Sequence, residues 1–158
     1  MAETTQPREQ ARRSRATDTA ELDAAAALVQ LTRLVQSIYS RIAVRHDLTP
    51  VQAKLLCIVA DNPRGMGDLA QCFGVEKAAL TGLVDRVERR GLATRSPVLR
   101  DRRALQVAPT ATGRRQAADF HTEVTTELER LLNPLTPRER DQFRRSMTKL
   151  LTASRNIG

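Results

Sequence analysis

The sequence predicts a mostly α-helical fold that contains one small two-stranded β-hairpin. Aliphatic residues recur at steps of three and four in several segments between residues 19 and 154, which is typical of amphipathic helices. Proline and glycine stand where those segments end, as at Pro63 and Gly91. Only residues 92–109 lose the helical period and contain two short runs suited to strands.

The chain begins with a polar stretch, residues 1–18, in which four arginines are offset by three acidic residues. This composition is typical of a disordered arm. A long first helix is predicted from about residue 20 to 46. Its apolar seam is formed by Leu28, Leu31, Val35, Ile38 and Ile42.

Three shorter helices are predicted next. Thr49, Pro50 and Gln52 form the pattern of a capping box, so a second helix begins there and ends before Pro63. A short helix is predicted at about residues 67–73, followed by a turn at Gly74-Val75. The next helix spans residues 76–90 and ends at Gly91, which suits a left-handed cap. Its buried face is predicted to be Leu80, Leu83, Val84 and Val87.

The rest of the chain is predicted to be a hairpin and two helices. Residues 92–96 and 105–108 form the strands, and residues 99–103 form an arginine-rich tip. Thr110 caps a fifth helix, and a second Thr-Pro capping box at Thr136 begins the last one. The residues expected to face inward are Ala117, Phe120, Val124, Leu128 and Leu131 on the fifth helix and Phe143, Met147, Leu150 and Leu151 on the sixth.

Two helices joined by a tight glycine turn and followed by a hairpin describe a winged helix-turn-helix. The charge agrees with a nucleic-acid partner, because 26 Lys+Arg against 18 Asp+Glu give a net charge of +8. Residues 86–103 contain seven arginines against Glu88 and Asp101, a local net charge of 7 − 2 = +5. A recognition helix would enter the major groove, while arginines of the wing would reach the minor groove.

The sequence resembles the MarR family of transcriptional regulators. The matching motifs are Thr49-Pro50-Val51-Gln52, Asp68-Leu69-Ala70, the stretch from Leu80 to Leu92, Asp101-Arg102-Arg103-Ala104, and the stretch from Pro109 to Gly113. Met66-Gly67 and Pro109 depart from the family pattern. The resemblance implies an all-α homodimer with a small two-stranded β wing. It divides the chain into an arm (1–18) and one domain (19–154), with dimerisation helices at 19–46 and 110–154 and a DNA-binding lobe at 49–109.

The same resemblance implies the site residues. Lys77, Ala78, Thr81 and Arg86 lie where the family's recognition helix meets DNA, and Asp101 and Arg103 match its wing pair. Arg100 and Arg102 complete the basic tip. Many relatives bind small aromatic acids or lipophilic compounds between the dimer helices and the winged unit. Tyr39, Arg41, Arg45 and His46 are the residues expected to line such a pocket here.

The predicted function is a homodimeric, sequence-specific transcriptional regulator. It would bind a pseudo-palindromic operator and act as a repressor released by a small lipophilic or aromatic ligand. Two alternatives stay open: a redox-responsive regulator that acts through Cys57 or Cys72, and a winged helix that docks a protein. Competition by salt and by duplex DNA distinguishes the protein-docking alternative. Both cysteines are expected to be buried small hydrophobic residues.

Several classes of protein are disfavoured. No apolar run reaches the roughly 18 to 20 residues of a membrane span, and the first twenty residues have no apolar signal region. We therefore expect a cytoplasmic, nucleoid-associated protein. There is no phosphate-binding glycine loop, nucleophile elbow or zinc-type ligand spacing, so neither an enzyme nor a bound cofactor or metal is expected.

Overall fold

The computed structural model describes residues 23–98 and 101–154. Within these ranges there are six helices and three short strands. The helices are α1 (Ala24–Arg45), α2 (Pro50–Asp61), α3 (Met66–Phe73), α4 (Lys77–Arg89), α5 (Ala111–Leu131) and α6 (Pro137–Ser154), and the strands are β1 (Arg64–Gly65), β2 (Ala93–Val98) and β3 (Asp101–Pro109). The chain divides into two compact units, residues 1–37 and 38–158. None of the described helices is both long and apolar enough to span a membrane.

The described part of the first unit is the beginning of α1. Asp23 stands before the helix, and its carboxylate accepts hydrogen bonds from the backbone amides of Ala25 and Ala26 at 2.7 and 3.0 Å. An acidic residue in this position satisfies amides that have no partner inside the helix. The predicted start near residue 20 lies outside the described residues. In this unit, Leu28 and Leu34 of α1 remain exposed.

The second unit contains the hydrophobic core, which is almost entirely aliphatic. Each of α2, α3, α4 and α5 contributes one face, and β3 contributes Val107. Phe120 is the one aromatic residue among the fully buried side chains. The buried face of α4 is the predicted one: Leu80, Leu83, Val84 and Val87. The opposite face of α4 is therefore presented to solvent.

The predicted helix boundaries are largely confirmed by their caps. Thr49 and Gln52 form the complete capping box of α2, with amide-to-side-chain distances of 3.0 and 3.3 Å. Thr110 caps α5 by accepting from the Gly113 amide at 3.0 Å. The Thr136 amide donates to Glu139 at 2.8 Å at the start of α6. These side chains fix where each helix begins because they replace the missing intrahelical acceptors.

Two glycine turns were also predicted correctly. Gly74 ends α3 with a φ of 62°, and Gly91 follows α4 with a φ of 67°. Both values lie in the left-handed region, which glycine adopts without the cost that a Cβ atom imposes. The first of these turns sets the angle between α3 and α4. The second returns the chain toward β2.

The sheet differs from the prediction in having three strands instead of two. Its order is β1-β3-β2, and the additional strand β1 pairs antiparallel with β3 through Arg64↔Val107 and Gly65↔Gln106. A strand of two residues carries no alternating pattern, so it could not be recognised from the sequence. We call the hairpin of β2 and β3 the wing. The pairing of β1 with β3 places the start of α3 beside the wing.

Part of the segment predicted to form the arginine-rich tip belongs to a strand instead. Asp101 to Arg103 belong to β3, although residues 99–103 were predicted to form a turn. Pro97 pairs with Leu105 and Val98 pairs with Asp101, so the register shifts between these two pairs. Proline has no amide to donate, which favours an irregular ladder at this point. Residues 99 and 100 lie outside the described part of the chain.

The apolar residues of the last helix, which were expected to face inward, are not buried within the single chain. No residue of α6 is buried; Phe143 and Met147 are partly covered, whereas Leu150 and Leu151 are 52% and 65% exposed. The helical period located the apolar stripe correctly, but periodicity does not say what covers such a stripe. An uncovered aliphatic stripe of this kind marks an interaction surface.

Candidate nucleic-acid interface

The exposed face of α4 presents small and basic side chains. Lys77, Ala78, Thr81 and Arg86 are all exposed, while the aliphatic residues on the other face of α4 are buried. Glu76 is the N-cap residue and makes no side-chain cap hydrogen bond. Its carboxylate therefore stands immediately before the first turn of α4. Lys77 is then the first helical side chain that an approaching phosphate or base would meet.

The hydroxyl of Thr81 is already committed as a donor. Its Oγ1 donates to the carbonyl oxygen of Lys77 at 2.8 Å, a bond to the preceding turn of α4. The Thr81 side chain can still accept hydrogen bonds through its oxygen lone pairs, and it still presents a methyl group. An acceptor of this type suits the exocyclic amino groups of adenine or cytosine in the major groove, and a methyl group suits thymine.

Three of the arginines counted in the basic cluster are held by other groups of the protein. Arg95 contacts two carboxylates of α4, those of Asp85 and Glu88, at 2.7 and 2.6 Å. Arg90 binds Asp47 at 2.7 Å, and the Nε of Arg89 donates to the Asp85 carbonyl oxygen at 3.3 Å. Asp47 and Asp85 lie outside the counted segment and pair with Arg90 and Arg95, so they offset part of the local charge of +5. Asp85 was not included in the charge count of residues 86–103 because it precedes that segment by one residue.

The wing residues predicted to reach DNA are only partly described. Asp101, Arg102 and Arg103 lie at the start of β3, and the structure describes their backbone but not their side chains. Arg100 lies outside the described residues. The backbone places this segment at the end of the wing away from Thr110 and the start of α5. Its predicted DNA contacts therefore remain predictions.

A groove of about 610 Å³ lies between α4, the start of α3 and the sheet. Lys77 and Thr81 of α4 line one side, and Val98 and Leu105 of the wing line another. Arg95 also lines this groove through the side chain that contacts α4. The two elements predicted to read DNA are thus neighbours that share one concave surface.

The four residues predicted to line a ligand pocket are largely engaged with α5. Arg45 pairs with Glu123, the Nε2 of His46 lies 2.6 Å from the same carboxylate, and Arg41 lies 4.0 Å from Glu127. Hydrogen bonding to His46 lowers the pKa of Glu123, and Arg45 adds to this effect. These contacts join the end of α1 to the middle of α5.

Aromatic packing supports the same junction. The Tyr39 ring packs edge-on against Phe120 with centroids 4.7 Å apart, and the His46 ring does so at 5.8 Å. The Nε2 of Gln116 donates to the His46 carbonyl oxygen at 2.6 Å. Tyr39 and His46 therefore help to fix the C-terminal end of α1, within the second unit, against α5.

A second cavity, of about 520 Å³, lies between α2 and α5. The residues that line it are Cys57, Ala60, Asp61, Arg114, Ala117, Ala118 and His121. None of these was predicted to line a ligand pocket, because the two helices are distant in sequence. One signal in the sequence could have indicated this cavity. Arg114 and His121 are seven residues apart and therefore lie on one face of α5, and the small residues Ala117 and Ala118 lie between them.

The two cysteines differ in their surroundings. Cys57 is partly buried, and the Tyr39 hydroxyl donates to its Sγ at 4.0 Å. Burial raises the pKa of the Cys57 thiol, although the hydrogen bond from Tyr39 opposes that shift. Cys72 is exposed, so the expectation that it would be buried is wrong. The helical period of α3 was too short to assign its faces reliably.

We expect Cys72 to react with a thiol reagent faster than Cys57. Only the thiolate is nucleophilic, and the raised pKa of Cys57 lowers its thiolate fraction near neutral pH, while burial limits access. Timed alkylation of the native protein at pH 7.5 followed by peptide mass spectrometry measures both rates. The Cys72→Ser variant is the control, since it should show only the slow phase. Equal rates at the two cysteines would contradict the assignment.

Within the described ranges, no cluster of three or more His, Cys, Asp or Glu side chains is arranged to hold a metal ion. Several charged side chains in these ranges are paired with one another. Asp141, for example, binds Arg144 at 2.7 Å, and this hydrogen bond lowers the pKa of Asp141.

Comparison with known proteins identifies relatives by sequence. Residues 46–104 match the profile of the MarR family. The homoprotocatechuate degradative operon repressor of Escherichia coli is 34% identical over 88 residues, which are 55% of this chain and 60% of that protein. The matched segment thus spans less than two thirds of that relative.

Solved structures agree over a longer part of the chain. Wild-type MarR of E. coli in its apo form has a TM-score of 0.74 at 22% identity, covering 84% of this chain and 99% of that chain. The repressor CouR bound to a 23-mer DNA duplex has a TM-score of 0.67 at 25% identity, with the same two coverages. CouR of Rhodococcus jostii RHA1 bound to p-coumaroyl-CoA has a TM-score of 0.64 at 22% identity, covering 81% and 91%. These similarities agree with the winged-helix fold.

Proposed function

We propose that this chain is a member of the MarR family and acts as a homodimeric, sequence-specific DNA-binding transcriptional repressor. The observation that carries the proposal is the division of α4 into a buried aliphatic face and an exposed face that bears Lys77, Ala78, Thr81 and Arg86. Members of this family are regulators and not enzymes, so no catalytic activity is proposed. The proposed location is the cytoplasm, on the nucleoid.

The proposed dimer uses the helices at the two ends of the chain. Residues 19–46 and 110–154 form the dimerisation region, residues 49–109 form the DNA-binding lobe, and residues 1–18 form an arm. The uncovered aliphatic residues of α6 support this division, since a partner copy would remove them from water. One recognition helix in each subunit then requires a pseudo-palindromic operator with half-sites about 10 base pairs apart.

Each DNA-facing residue has a proposed role. Lys77 and Thr81 contact base edges in the major groove, where Ala78 leaves room for a thymine methyl group. Arg86 binds a phosphate. In the wing, Asp101 orients Arg103 toward the minor groove, whose narrow A·T tracts attract arginine. Arg100 and Arg102 add phosphate contacts beside it.

These roles give distinct effects in binding measurements. Thr81→Ala and Lys77→Ala should change the preference within the half-site, at about 1 to 3 kcal/mol for a lost base contact. Arg86→Ala should weaken binding to all sequences alike and reduce the salt slope by about one. Arg103→Ala should weaken binding most on duplexes with A·T-rich flanks. Fluorescence anisotropy with duplexes that differ only in flank or half-site measures each effect; equal affinity of Arg103→Ala for every duplex would contradict the wing assignment.

A small aromatic acid is the proposed ligand that releases the repressor, and the α2–α5 cavity is its proposed site. Arg114 and His121 would face the carboxylate, while the alanines and Cys57 would contact the ring. The structural relative CouR is bound to p-coumaroyl-CoA, a thioester with an aromatic acyl group, and this supports the aromatic part of the proposed ligand by similarity. Tyr39 contacts Cys57 and the α5 residue Phe120, so ligand binding would disturb the junction at Tyr39, Arg41, Arg45 and His46.

The ligand proposal is tested with p-coumarate and homoprotocatechuate as probes. Either compound should raise the melting temperature of the protein and lower its affinity for the selected duplex, because binding to one conformation stabilises that conformation. Arg114→Ala should abolish both effects. The neighbouring exposed Arg115, when replaced by alanine, should leave both intact. An equal response in the two variants would show that the ligand does not use the α2–α5 cavity.

Two alternatives predict other results. A redox-responsive regulator would release DNA on oxidation, and replacement of Cys57 and Cys72 by serine would remove that response. A protein-docking winged helix would retain its partner when duplex DNA or salt is added, whereas a DNA-binding protein loses affinity steeply with salt. The partial burial and raised thiol pKa of Cys57 favour the ligand-responsive form over oxidation at that residue.

A further inference from the structure

Arg95 connects the wing to three successive turns of α4. Its Nη1 contacts Asp85 at 2.7 Å and Glu88 at 2.6 Å, and its Nη2 donates to the carbonyl oxygen of Thr81 at 3.2 Å. The side chain is only 18% exposed. Thr81, Asp85 and Glu88 follow one another at steps of four and three, so a single guanidinium group spans a stripe of the recognition helix.

Glu88 holds the backbone of Arg95 as well as its side chain. Its Oε1 accepts a hydrogen bond from the Arg95 amide at 2.7 Å, while its Oε2 contacts the guanidinium. Both ends of the contact are therefore fixed, one on β2 and one on α4. Planar, multidentate arginine contacts of this kind define orientation better than a point charge does.

The charge of Arg95 is unavailable to DNA in this arrangement. Two carboxylates face one guanidinium, and most of the side chain is covered. Arg86, by contrast, is exposed on the same helix. Counting arginines along the sequence placed both in one basic cluster, but the structure gives them different surroundings.

We infer that Arg95 is a positioning residue that fixes the wing against the recognition helix, so that one subunit reads its half-site and the adjoining minor groove in a fixed register. The inference rests on the proposed DNA-binding function. Arg95 touches the Thr81 carbonyl, and Thr81 is a proposed base-reading residue. A change at Arg95 therefore alters where the wing meets DNA relative to α4, without removing a phosphate contact.

The experiment selects bound duplexes from a random pool with four proteins: the unaltered chain, Arg95→Gln, Glu88→Gln and the control Arg115→Gln. The salt dependence of binding to the duplex selected by the unaltered chain is then measured for each. Arg95→Gln and Arg115→Gln remove the same charge, and Glu88→Gln removes a negative charge next to the DNA-facing surface. Thermal melting shows whether each variant is folded.

Arg95→Gln is expected to keep its half-site preference and its salt slope, but to lose about tenfold in discrimination between A·T-rich and G·C-rich flanks. Glu88→Gln is expected to lose the same discrimination, although its added positive charge by itself would strengthen binding. Arg115→Gln should select the same motif as the unaltered chain. If Arg95→Gln does not fold, Glu88→Gln alone decides the question.

A salt slope that falls by about one in Arg95→Gln, together with tighter binding of Glu88→Gln to every sequence, would overturn the inference and make Arg95 a phosphate contact. Unchanged flank discrimination in both variants would also overturn it. Failure of the unaltered chain to select any duplex would instead refute the proposed function, and the inference with it. The behaviour of the unaltered chain thus separates the two failures.

Discussion

Replacement of both Leu150 and Leu151 by glutamate is expected to convert the protein into a monomer that binds the operator at least a hundredfold more weakly. Both leucines are exposed in the single chain, and burying a leucine side chain contributes about 1.5 to 3 kcal/mol. Two carboxylates at the interface would add a desolvation cost. The loss in DNA affinity follows because two linked half-site contacts bind far more tightly than one. Sedimentation velocity measures the association state.

The control for this variant is Lys149→Glu, an exposed neighbour on α6. It changes the net charge by −2, as the double leucine variant does, but it removes no apolar side chain. It should remain a dimer and retain most of its affinity for DNA. If the double leucine variant sediments as a stable dimer, the aliphatic stripe of α6 is not the subunit interface.

Gly113→Ala is expected to destabilise the fold by about 3 kcal/mol. A Cβ atom at this position would lie 1.8 Å from the carbonyl oxygen of Leu92, so the backbone of one element would have to move. The same carbonyl accepts the Thr110 amide at 3.0 Å, and the Gly113 amide donates to the Thr110 side chain. The substitution therefore disturbs the cap of α5 and the beginning of the wing together.

The matched control for Gly113→Ala is Gly67→Ala in α3. A Cβ built at Gly67 would meet no atom within 4 Å other than those of its chain neighbours and its own helix backbone, and alanine in a helix is favoured over glycine by about 0.5 to 1 kcal/mol. Chemical denaturation should show this variant to be at least as stable as the unaltered chain. Equal stability of the two alanine variants would mean that the close approach of α5 to Leu92 is absent in solution.

Local signals in the sequence were sufficient to locate most of the helices. The capping boxes at Thr49 and Thr136, the left-handed glycines and the aliphatic period of α4 each depend on residues within a few positions of one another. Such interactions are specified by short segments. The two-residue strand β1 was missed because it exists only through its pairing with β3, about forty residues later in the chain.

The sequence was sufficient to predict which residues of α4 are exposed, but not which contacts the side chains around it make. The exposed residues of α4 follow from its period, because the face opposite the buried one must meet solvent. That Arg95 contacts Asp85 and Glu88 depends on how the wing folds back on α4, and no spacing in the sequence indicates it. The α2–α5 cavity is nonlocal in the same way. The missing information is therefore tertiary.

The most direct test of the central claim is a titration of the protein with a pseudo-palindromic duplex, selected from a random pool, at several salt concentrations. We expect one dimer per duplex and a steep linear decrease of log affinity with log salt, since each neutralised phosphate contributes about −0.9 to the slope. Duplexes with half-sites moved from about 10 to about 15 base pairs apart should bind much more weakly. A flat salt response, or one monomer per duplex regardless of spacing, would contradict the account.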